Sequence, residues 1–300
     1  MLERNNFIGV NSIKFYQNFK TEEDCLSYLS SIKWELGYSC KRCGYEKYCK
    51  GKKEFNRRCT KCRYEDSPTS GTMFDKVKFS ILIAFHIVFK IATKKKGMSS
   101  LELSQEYELR QKTCWEFKWK IQQAMSSSLK HPLTGTVHVD EFFIGGPEEQ
   151  KRGRNKGAKK LVVLAIEIID NGVGRAYAEM IENASSKELG TFLEKYVSKE
   201  AIIITDEWRG YIPLKKTFVN MEQVKSDDGK NFKDVHIHIM NIKGWLRGIH
   251  HHCSKERMQG YLNEYHYRYN RRQNMGTIFD LLLKKMVKNE PKRIKSIPST

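Results

Sequence analysis

Two pairs of cysteines have the spacing that most directly suggests chemistry. Cys40 and Cys43 form one C-x-x-C pair, Cys59 and Cys62 form the other, and fifteen residues separate the pairs. Each C-x-x-C turn can set two thiolates on one side of a tetrahedron, and a hairpin between the turns can close it. We therefore expect a structural zinc ribbon at residues 34–66.

Two aspartates could do chemistry of a different kind. Asp140 lies within an otherwise apolar, alternating segment, and Asp206 directly follows the apolar run Ala201–Thr205. A buried carboxylate is costly unless it is paired or bound to a metal. One interpretation is that the two carboxylates converge on magnesium, which takes few protein oxygens. The alternative is that each aspartate only caps a turn and accepts backbone amides.

The elements that would position these aspartates follow from the hydrophobic period, which changes from about 3.6 to about 2 residues after Gly135. The pattern predicts three strands, a helix, a fourth strand and then helices, which is the order of the ribonuclease H-like fold. There the first and fourth strands are neighbours, so Asp140 and Asp206 would meet. Two metal ions about 4 Å apart could then promote phosphodiester displacement. The predicted strands are residues 136–144, 161–169, 174–181 and 201–205, with a helix at 185–197.

The segment before these strands is predicted to be all-helical. A short turn around Arg110–Lys112 precedes a basic, aromatic helix, which is typical of a helix-turn-helix. The turn lacks the usual glycine, and a plain three-helix linker domain is the alternative. The predicted helices are residues 77–92, 99–107 and 113–125, with an earlier one at 21–32.

The charge of the chain points to a polyanionic partner. There are 54 basic and 35 acidic residues, for a net charge of +19. Such an excess favours nucleic acid, most simply double-stranded DNA, although a role in solubility alone is the alternative. The predicted phosphate contacts are Arg57, Arg58, Lys61, Lys112, Lys118, Lys120, Arg268, Arg271 and Arg272.

Composition also bounds the location and the domains. The other four cysteines show no pairing pattern, no apolar run reaches the length of a membrane span, and no signal-peptide pattern is present, so we expect a reducing cytoplasm. The expected fold class is α/β, in an α+β multidomain chain. Its parts are a helical segment (1–33), the zinc ribbon (34–66), a helix-turn-helix domain (67–130), a ribonuclease H-like catalytic domain (131–285) and a basic tail (286–300).

Five segments taken together match a known family: YSCKRCG with CTKCRYEDSPTSGTMFD, GMSSLELSQEYELRQKTCWEFKWKIQQAM, VHVDEFFIGG, ITDEWRGY, and NIKGWLRGIHHHCSKERMQGYLNEYHYRYNRR. Over nearly its whole length the chain resembles bacterial insertion-sequence transposases of the zinc-ribbon DDE type. The resemblance implies cleavage of DNA at element ends and joining of the 3′-hydroxyls to a target. It also implies catalytic Asp140 and Asp206, magnesium or manganese, a dimer or larger oligomer, and a place on the bacterial nucleoid.

The third catalytic position departs from the usual glutamate. Residues 235–255 contain no Asp or Glu. The family admits Asn or His there, followed by a lysine that contacts phosphate. Counting back from Lys243 gives His236, with Asn241 as the other candidate and Asp234 as an outside one. A histidine nitrogen suits manganese better than magnesium. The bland alternatives are a strand-edge His236 and a helix-start Asn241.

Two aromatic clusters near the C-terminus carry weaker signals. Adjacent side chains in His250–His252, with Cys253, diverge and cannot all bind one ion, so we interpret them as DNA-facing or structural. The stripe of Tyr261, Tyr265 and Tyr269 fits a core better than a base-stacking platform.

Two other functions compete with an active transposase. One is a catalytically inactive, transposase-derived DNA-binding regulator, which the missing third carboxylate favours and the retained Asp140, Asp206 and Lys243 oppose. The other is a structure-specific nuclease without transposition.

Overall fold

The computed structural model describes residues 6–145, 159–170, 172–227, 229–250 and 253–290. These residues form two compact units. The first unit joins the described residues up to Met125 with those from Gln273 onward, and the second is Ser126–Arg272. No helix in the described ranges has both the length and the apolar character needed to cross a bilayer.

Helices and strands are labelled in chain order. The helices are α1 (Ser12–Asn18), α2 (Glu22–Lys33), α3 (Ile81–Thr93), α4 (Ser100–Tyr107), α5 (Gln111–Ala124), α6 (Ser186–Tyr196), α7 (Lys233–Ile249), α8 (Lys255–Tyr269) and α9 (Ile278–Lys288). The strands are β1 (Tyr48–Lys50), β2 (Arg57–Cys59), β3 (Glu65–Asp66), β4 (Thr136–Ile144), β5 (Lys160–Ile169), β6 (Gly172–Ile181), β7 (Ile202–Thr205) and β8 (Met221–Gln223). Short 3-10 turns cover Arg209–Lys216, Lys230–Phe232 and Met275–Thr277.

An aromatic cluster forms the core of the first unit. Phe15 stacks on Phe89 of α3 with ring centroids 4.1 Å apart, and Phe279 of α9 packs edge-on against both. The apolar face of α9 is buried in this unit, although the sequence assigned residues up to 285 to the catalytic domain. The chain therefore returns to its first unit after Arg272. Of the predicted tail, residues 291–300 lie outside the described residues.

The predicted helix-turn-helix segment has the expected sequence of elements. Ser99 caps α4 in a reciprocal capping box with Glu102, and a three-residue turn leads from α4 into α5. The first turn residue, Glu108, is left-handed, with φ 52° and ψ 37°. A glutamate thus adopts the conformation that glycine would provide at this position.

The second unit is a five-stranded mixed sheet in the order β6-β5-β4-β7-β8. β4 pairs with β5 antiparallel and with β7 parallel, β5 with β6 antiparallel, and β7 with β8 parallel. This order and these directions are those of the ribonuclease H-like fold, so the predicted fold class is confirmed. The predicted strands agree with β4 to β7 to within two residues.

Each face of the sheet has its own hydrophobic layer. Odd-numbered residues of β4, such as Val137 and Val139, pack with Phe192 of α6 and with Tyr211. Even-numbered residues, such as Phe142, pack with α7 and α8. The alternation expected of a strand therefore decides which helix faces each side chain.

Side-chain amides from α8 and the residues after it cover the edge strand β6. Gln259 accepts from the Met180 amide (3.0 Å) and donates to the Ala178 carbonyl (3.2 Å). Asn270 accepts from the Ala176 amide (2.9 Å) and donates to the Ala176 carbonyl (2.8 Å). These contacts fix α8 along the edge of the sheet.

We predict that Glu108→Gly raises the stability of the protein. A left-handed residue with a Cβ is strained by roughly 1–2 kcal/mol, and part of that gain is offset by the larger unfolded-state entropy of glycine. We expect a net gain of up to about 1 kcal/mol, measured by thermal and urea unfolding.

The matched control is Glu116→Gly, at an exposed interior position of α5. This variant should lose about 1 kcal/mol. A lower melting temperature for Glu108→Gly would show that the glutamate side chain, and not the turn geometry, stabilises this connection.

Candidate active site and zinc centre

The four predicted cysteines meet in the ribbon formed by β1, β2 and β3. The Sγ atoms of Cys40 and Cys62 are 3.5 Å apart, and those of Cys43 and Cys59 are 3.6 Å apart. All four sulfurs lie within 4.8 Å of one another. A tetrahedral zinc with Zn–S bonds of about 2.3 Å separates its sulfurs by about 3.8 Å. The donor set therefore fits one zinc ion.

Both C-x-x-C turns end in the same backbone conformation. The Gly44 amide donates to the Cys40 carbonyl at 2.8 Å, and the Arg63 amide donates to the Cys59 carbonyl at 3.1 Å. Gly44 and Arg63 follow the last cysteine of their turns and have φ of 71° and 61°. The two halves of the ribbon thus present their thiolates in matching ways.

Parallel pairing of β4 with β7 brings the two aspartates together. Val139 is the register partner of Thr205, so Asp140 and Asp206 follow on neighbouring strands and on the same face. Asp140 Oδ1 accepts from the Glu141 amide at 2.8 Å, and Asp206 Oδ1 accepts from the Trp208 amide at 3.1 Å. Each carboxylate therefore accepts a hydrogen bond from a backbone amide. The two carboxylates also lie next to each other on neighbouring strands.

The electrostatics at Asp140 suit a cation. Burial and the nearby Asp206 charge raise the pKa of Asp140, against the opposing effects of the Glu141 amide and of His236. Two carboxylates that share a site disfavour each other's ionisation unless positive charge is supplied. Magnesium uses one or two carboxylates and retains several waters, so this pair fits a divalent cation.

Helix α7 carries a third donor to this place. His236 Nε2 lies 3.3 Å from Asp140 Oδ2. Gly229, with φ +85°, packs against the imidazole, because a Cβ there would lie 2.4 Å from His236 Nδ1. Sequence reasoning did not identify Gly229, although a glycine just before a helix is a recognisable signal of a turn. His236 is thus on a helix and not at a strand edge.

The other candidates on α7 lie elsewhere. Lys243, two helical turns after His236, shares its face, and its Nζ is 5.5 Å from the centre of the Phe142 ring. Burial and the nearby Arg247 lower the pKa of Lys243. Asn241 is exposed and lies about 140° around the helix from His236. Asp234 is also exposed. His236 is the candidate that contacts Asp140.

The cysteines differ from the aspartate site in how completely they enclose a metal. Within the part of the chain that the structure describes, they form the only cluster of three or more His, Cys, Asp or Glu side chains arranged to hold an ion. Asp140, Asp206 and His236 form a more open set. Open sets suit catalytic metals, whereas closed ones suit structural zinc.

A buried pair of histidines ties α7 to α8. His266 Nδ1 donates to the Leu262 carbonyl at 2.8 Å, so its Nε2 accepts from His238 Nε2 at 3.2 Å when both rings are neutral. Burial lowers the pKa of both imidazoles. His238 lies about 200° around α7 from His236. The hydrogen bond to His266 therefore holds α7, and with it His236, in position.

Some predicted phosphate contacts remain on the ribbon surface. Arg57 is half-buried between Trp34 and Tyr48, with its guanidinium 4.4 and 4.2 Å from their ring centres. Arg58 is half-buried, and Lys61 is exposed with its amine 5.9 Å from the centre of the Tyr45 ring. On α5, Lys112 is exposed.

Other side chains that were predicted to contact phosphates bind groups of the protein itself. Lys118 is buried, and its amine donates to the Met98 carbonyl. Lys120 donates to the Asp75 carbonyl at 3.1 Å. Arg268 is buried and pairs with Glu264 at 2.7 Å. Neither Lys118 nor Arg268 is placed to contact a phosphate, because each already satisfies a buried acceptor.

The remaining basic and aromatic candidates near the C-terminus are mainly structural. Arg271 lies over the Tyr267 ring at 3.7 Å, and Arg272 donates to the Gly174 carbonyl at 3.1 Å. His250 stacks on Tyr261 with centroids 4.1 Å apart. The stripe of Tyr261, Tyr265 and Tyr269 packs into the core as expected. His251 and His252 lie outside the described residues.

The fold and the paired aspartates define a ribonuclease H-like domain with a candidate two-carboxylate metal site. A comparison with protein-family models gives a more specific match for this domain. Residues 132–270 match the sequence model of the ISXO2-like transposase domain. The resemblance found in the sequence is confirmed for these residues. No curated protein matches the sequence significantly.

Two solved structures are distantly similar to this chain. A pre-cleavage Mos1 transpososome is 12% identical, with a TM-score of 0.28, over 69% of this chain and 79% of that one. A Mos1 transposase paired-end complex with the left transposon end is also 12% identical, with a TM-score of 0.22, over 65% and 79% of the two chains. At these TM-scores the similarity carries no argument about function.

We predict about one zinc ion per chain, held by the four cysteines. Cys40→Ser should lose the ion and destabilise the ribbon, because structural zinc contributes directly to folding. Cys49→Ser is the matched control, since Cys49 lies on β1 outside the cluster. Metal analysis with thermal unfolding of both variants tests this. Equal zinc content in Cys40→Ser and wild type would rule out the four-cysteine centre.

We also predict that the protein loses stability as the pH falls below about 6.5, the value of an unperturbed histidine. Burial lowers the folded-state pKa of His266, so the unfolded chain binds more protons in this range and stability rises with pH. His266→Gln should weaken this dependence, whereas His131→Gln, at an exposed histidine, should not. Melting temperatures from pH 5 to 8 measure it. Identical pH profiles for wild type and His266→Gln would contradict the prediction.

Proposed function

We propose that this protein is a DNA transposase. It binds the terminal inverted repeats of an insertion sequence, cleaves at the element ends and transfers the 3′-hydroxyls to target DNA. The supporting observation is the placement of Asp140 and Asp206 on adjacent parallel strands of a ribonuclease H-like sheet, with His236 beside Asp140. The match of residues 132–270 to a transposase family supports the same conclusion.

Asp140 and Asp206 would hold Mg²⁺ or Mn²⁺. When bound, such a cation activates an attacking oxygen and stabilises the leaving one. The two aspartates supply the negative charge, and their backbone hydrogen bonds keep the carboxylates in fixed orientations. Asp140 lies in β4 and Asp206 directly follows β7. This open set of donors would leave a position for a substrate oxygen.

His236 and Lys243 complete the site from α7. His236 would be the third donor, and its nitrogen favours Mn²⁺ over Mg²⁺. Lys243 would contact a phosphate oxygen of the bound strand. Water attacks phosphorus first and a freed 3′-hydroxyl attacks second, and each in-line step forms one P–O bond and breaks another. No covalent bond to the protein is required.

The first unit would supply DNA binding. The zinc ribbon presents Arg58 and Lys61 beside the half-buried Arg57, and the helix-turn-helix presents Lys112. These cations suit the phosphates of the element ends and of the target. We propose that the protein acts on DNA in the bacterial cytoplasm, as a homodimer or a larger oligomer.

A catalytically inactive DNA-binding regulator is the second candidate. The observation that favours it is the absence of a third carboxylate on the His236 face of α7 among the described residues. Against it stands the gathering of Asp140 and Asp206, because burial, together with the nearby Asp206 charge, raises the pKa of Asp140 and so disfavours two bare carboxylates in one place. Inverted repeats flanking the gene would favour the active transposase over the regulator, because they mark a mobile element.

We predict that Asp140→Asn or Asp206→Asn abolishes cleavage and strand transfer while binding to element ends persists. Loss should exceed about 100-fold, because even an outer-shell partner of a metal ligand is worth about 10- to 100-fold. Glu207→Gln, at the exposed acid after Asp206, is the control. Cutting of terminal-repeat duplexes in Mg²⁺ or Mn²⁺, with gel-shift binding in parallel, decides this. Cleavage by either Asn variant at the wild-type rate would refute the two-aspartate site.

The third donor has its own prediction. His236→Ala should lose most cleavage without unfolding, whereas Asn241→Ala and Asp234→Ala, at exposed positions on the same helix, should keep it. His236→Glu should retain some activity in Mg²⁺, because a carboxylate is the harder ligand. Parallel assays in both metals separate these outcomes. Loss of activity in Asn241→Ala alone would transfer the role to Asn241.

A further inference from the structure

The exposed face of α5 has an unusual composition for a DNA-binding helix. Its buried side contains Cys114, Phe117, Lys118 and Ile121, which face the core of the first unit. The exposed residues gather near its N-terminus at spacings of one, four and five. They are Gln111, Lys112, Trp115 and Glu116.

The structure reverses the role expected for the lysines of this helix. Lys118 and Lys120 were predicted to contact phosphates, but their amines donate to the carbonyls of Met98 and Asp75. Lys112 is the single lysine of α5 that remains on the exposed face. The helix therefore does not present the basic stripe that would bind any phosphate backbone equally.

The exposed residues suit base edges instead. Gln can pair with adenine through two hydrogen bonds, Lys donates to guanine, and Glu accepts from the amino group of cytosine. Trp115 is 36% exposed between them and offers apolar surface. In a helix-turn-helix the N-terminal residues of the second helix are those that reach bases in the major groove.

Glu116 places a negative charge on the exposed face of α5. A carboxylate directed at DNA is repelled by the phosphates, so it weakens binding to duplexes that offer it no donor. Its charge also favours the protonated form of Lys120 one turn along, although the Lys120 amine makes its hydrogen bond to the Asp75 carbonyl at 3.1 Å. An exposed acid on this face is therefore suited to rejecting sites that lack a cytosine.

We propose that the exposed α5 face of Gln111, Lys112, Trp115 and Glu116 reads base sequence in the major groove of duplex DNA, with Glu116 selecting against sites without cytosine. Exposed lysines lie in the α3–α4 loop at Lys94 and Lys95, and Arg110 precedes α5. These cations suit the phosphates that flank the bases read by this face. The proposal rests on the DNA-binding part of the proposed function and is independent of catalysis.

The test is a selection from a random-sequence duplex library with the full chain and its variants. Wild type should enrich one motif. Gln111→Ala should relax it at an adenine and Glu116→Ala at a cytosine, each by about 5- to 150-fold, the range for one good base contact. Glu116→Ala should also bind unselected duplex more tightly, whereas Lys112→Ala should bind it more weakly.

Two controls separate this surface from general charge effects. Glu23→Ala removes an exposed acid from α2 and should leave the motif unchanged. Lys61→Ala removes a ribbon lysine and should weaken all sequences alike. The proposal is overturned if wild type enriches no motif, if the α5 variants enrich the wild-type motif unchanged, or if Lys61→Ala alone alters it. Because no cleavage is scored, an inactive enzyme leaves this result interpretable.

Discussion

Parallel pairing of β4 with β7 is the constraint on which the second unit depends. The register that matches Val139 with Thr205 puts two carboxylates on neighbouring strands and on one face. Isolated, each aspartate would be an unfavourable polar group at the rim of an apolar sheet. Burial raises the pKa of Asp140, and the nearby negative charge of Asp206 raises it further. The sheet thus holds an arrangement that water alone stabilises poorly and that a divalent cation would stabilise well.

The helices on one face of the sheet keep the third donor in position. His236 reaches Asp140 only because α7 lies against the even-numbered residues of β4. The hydrogen bond between His238 and His266 fixes α7 to α8, and Gln259 and Asn270 fix α8 to β6. A series of polar contacts, of which the pair of histidines is fully buried, therefore connects the edge of the sheet with its centre. Such contacts specify one arrangement, since each unpaired member would be costly.

Much of this arrangement could be predicted from the sequence, for identifiable reasons. The C-x-x-C spacing defines the zinc ligands, and the alternation of Val137 and Val139 with polar residues predicts β4. The spacing implied by the family resemblance, counted back from Lys243, favoured His236 over Asn241, and two turns of a helix place residues 236 and 243 on the same face. Asn241 could not be excluded by counting alone, because that step requires knowing which face of α7 meets the sheet.

Other features depend on tertiary contacts that the sequence does not display. The apolar stripe of α9 shows that the helix is buried, but not that its core belongs to the first unit. Positions 114, 117, 118 and 121 share a helical face, so the apolar period of α5 already indicated that Lys118 is buried. The charge of the lysine suggested an exposed position instead. The left-handed conformation of Glu108 could not be predicted from the sequence, because glutamate is not a residue type that favours this conformation.

The amides that cover β6 have a consequence for assembly. An edge strand normally offers free N–H and C=O groups, and these allow a second chain to extend the sheet. Here Gln259 and Asn270 already occupy the groups of Ala176, Ala178 and Met180. Strand addition at this edge would have to displace those side chains first. Two copies of the protein would therefore not readily join β6 edge to β6 edge, so the side chains that fix α8 also oppose polymerisation through this strand.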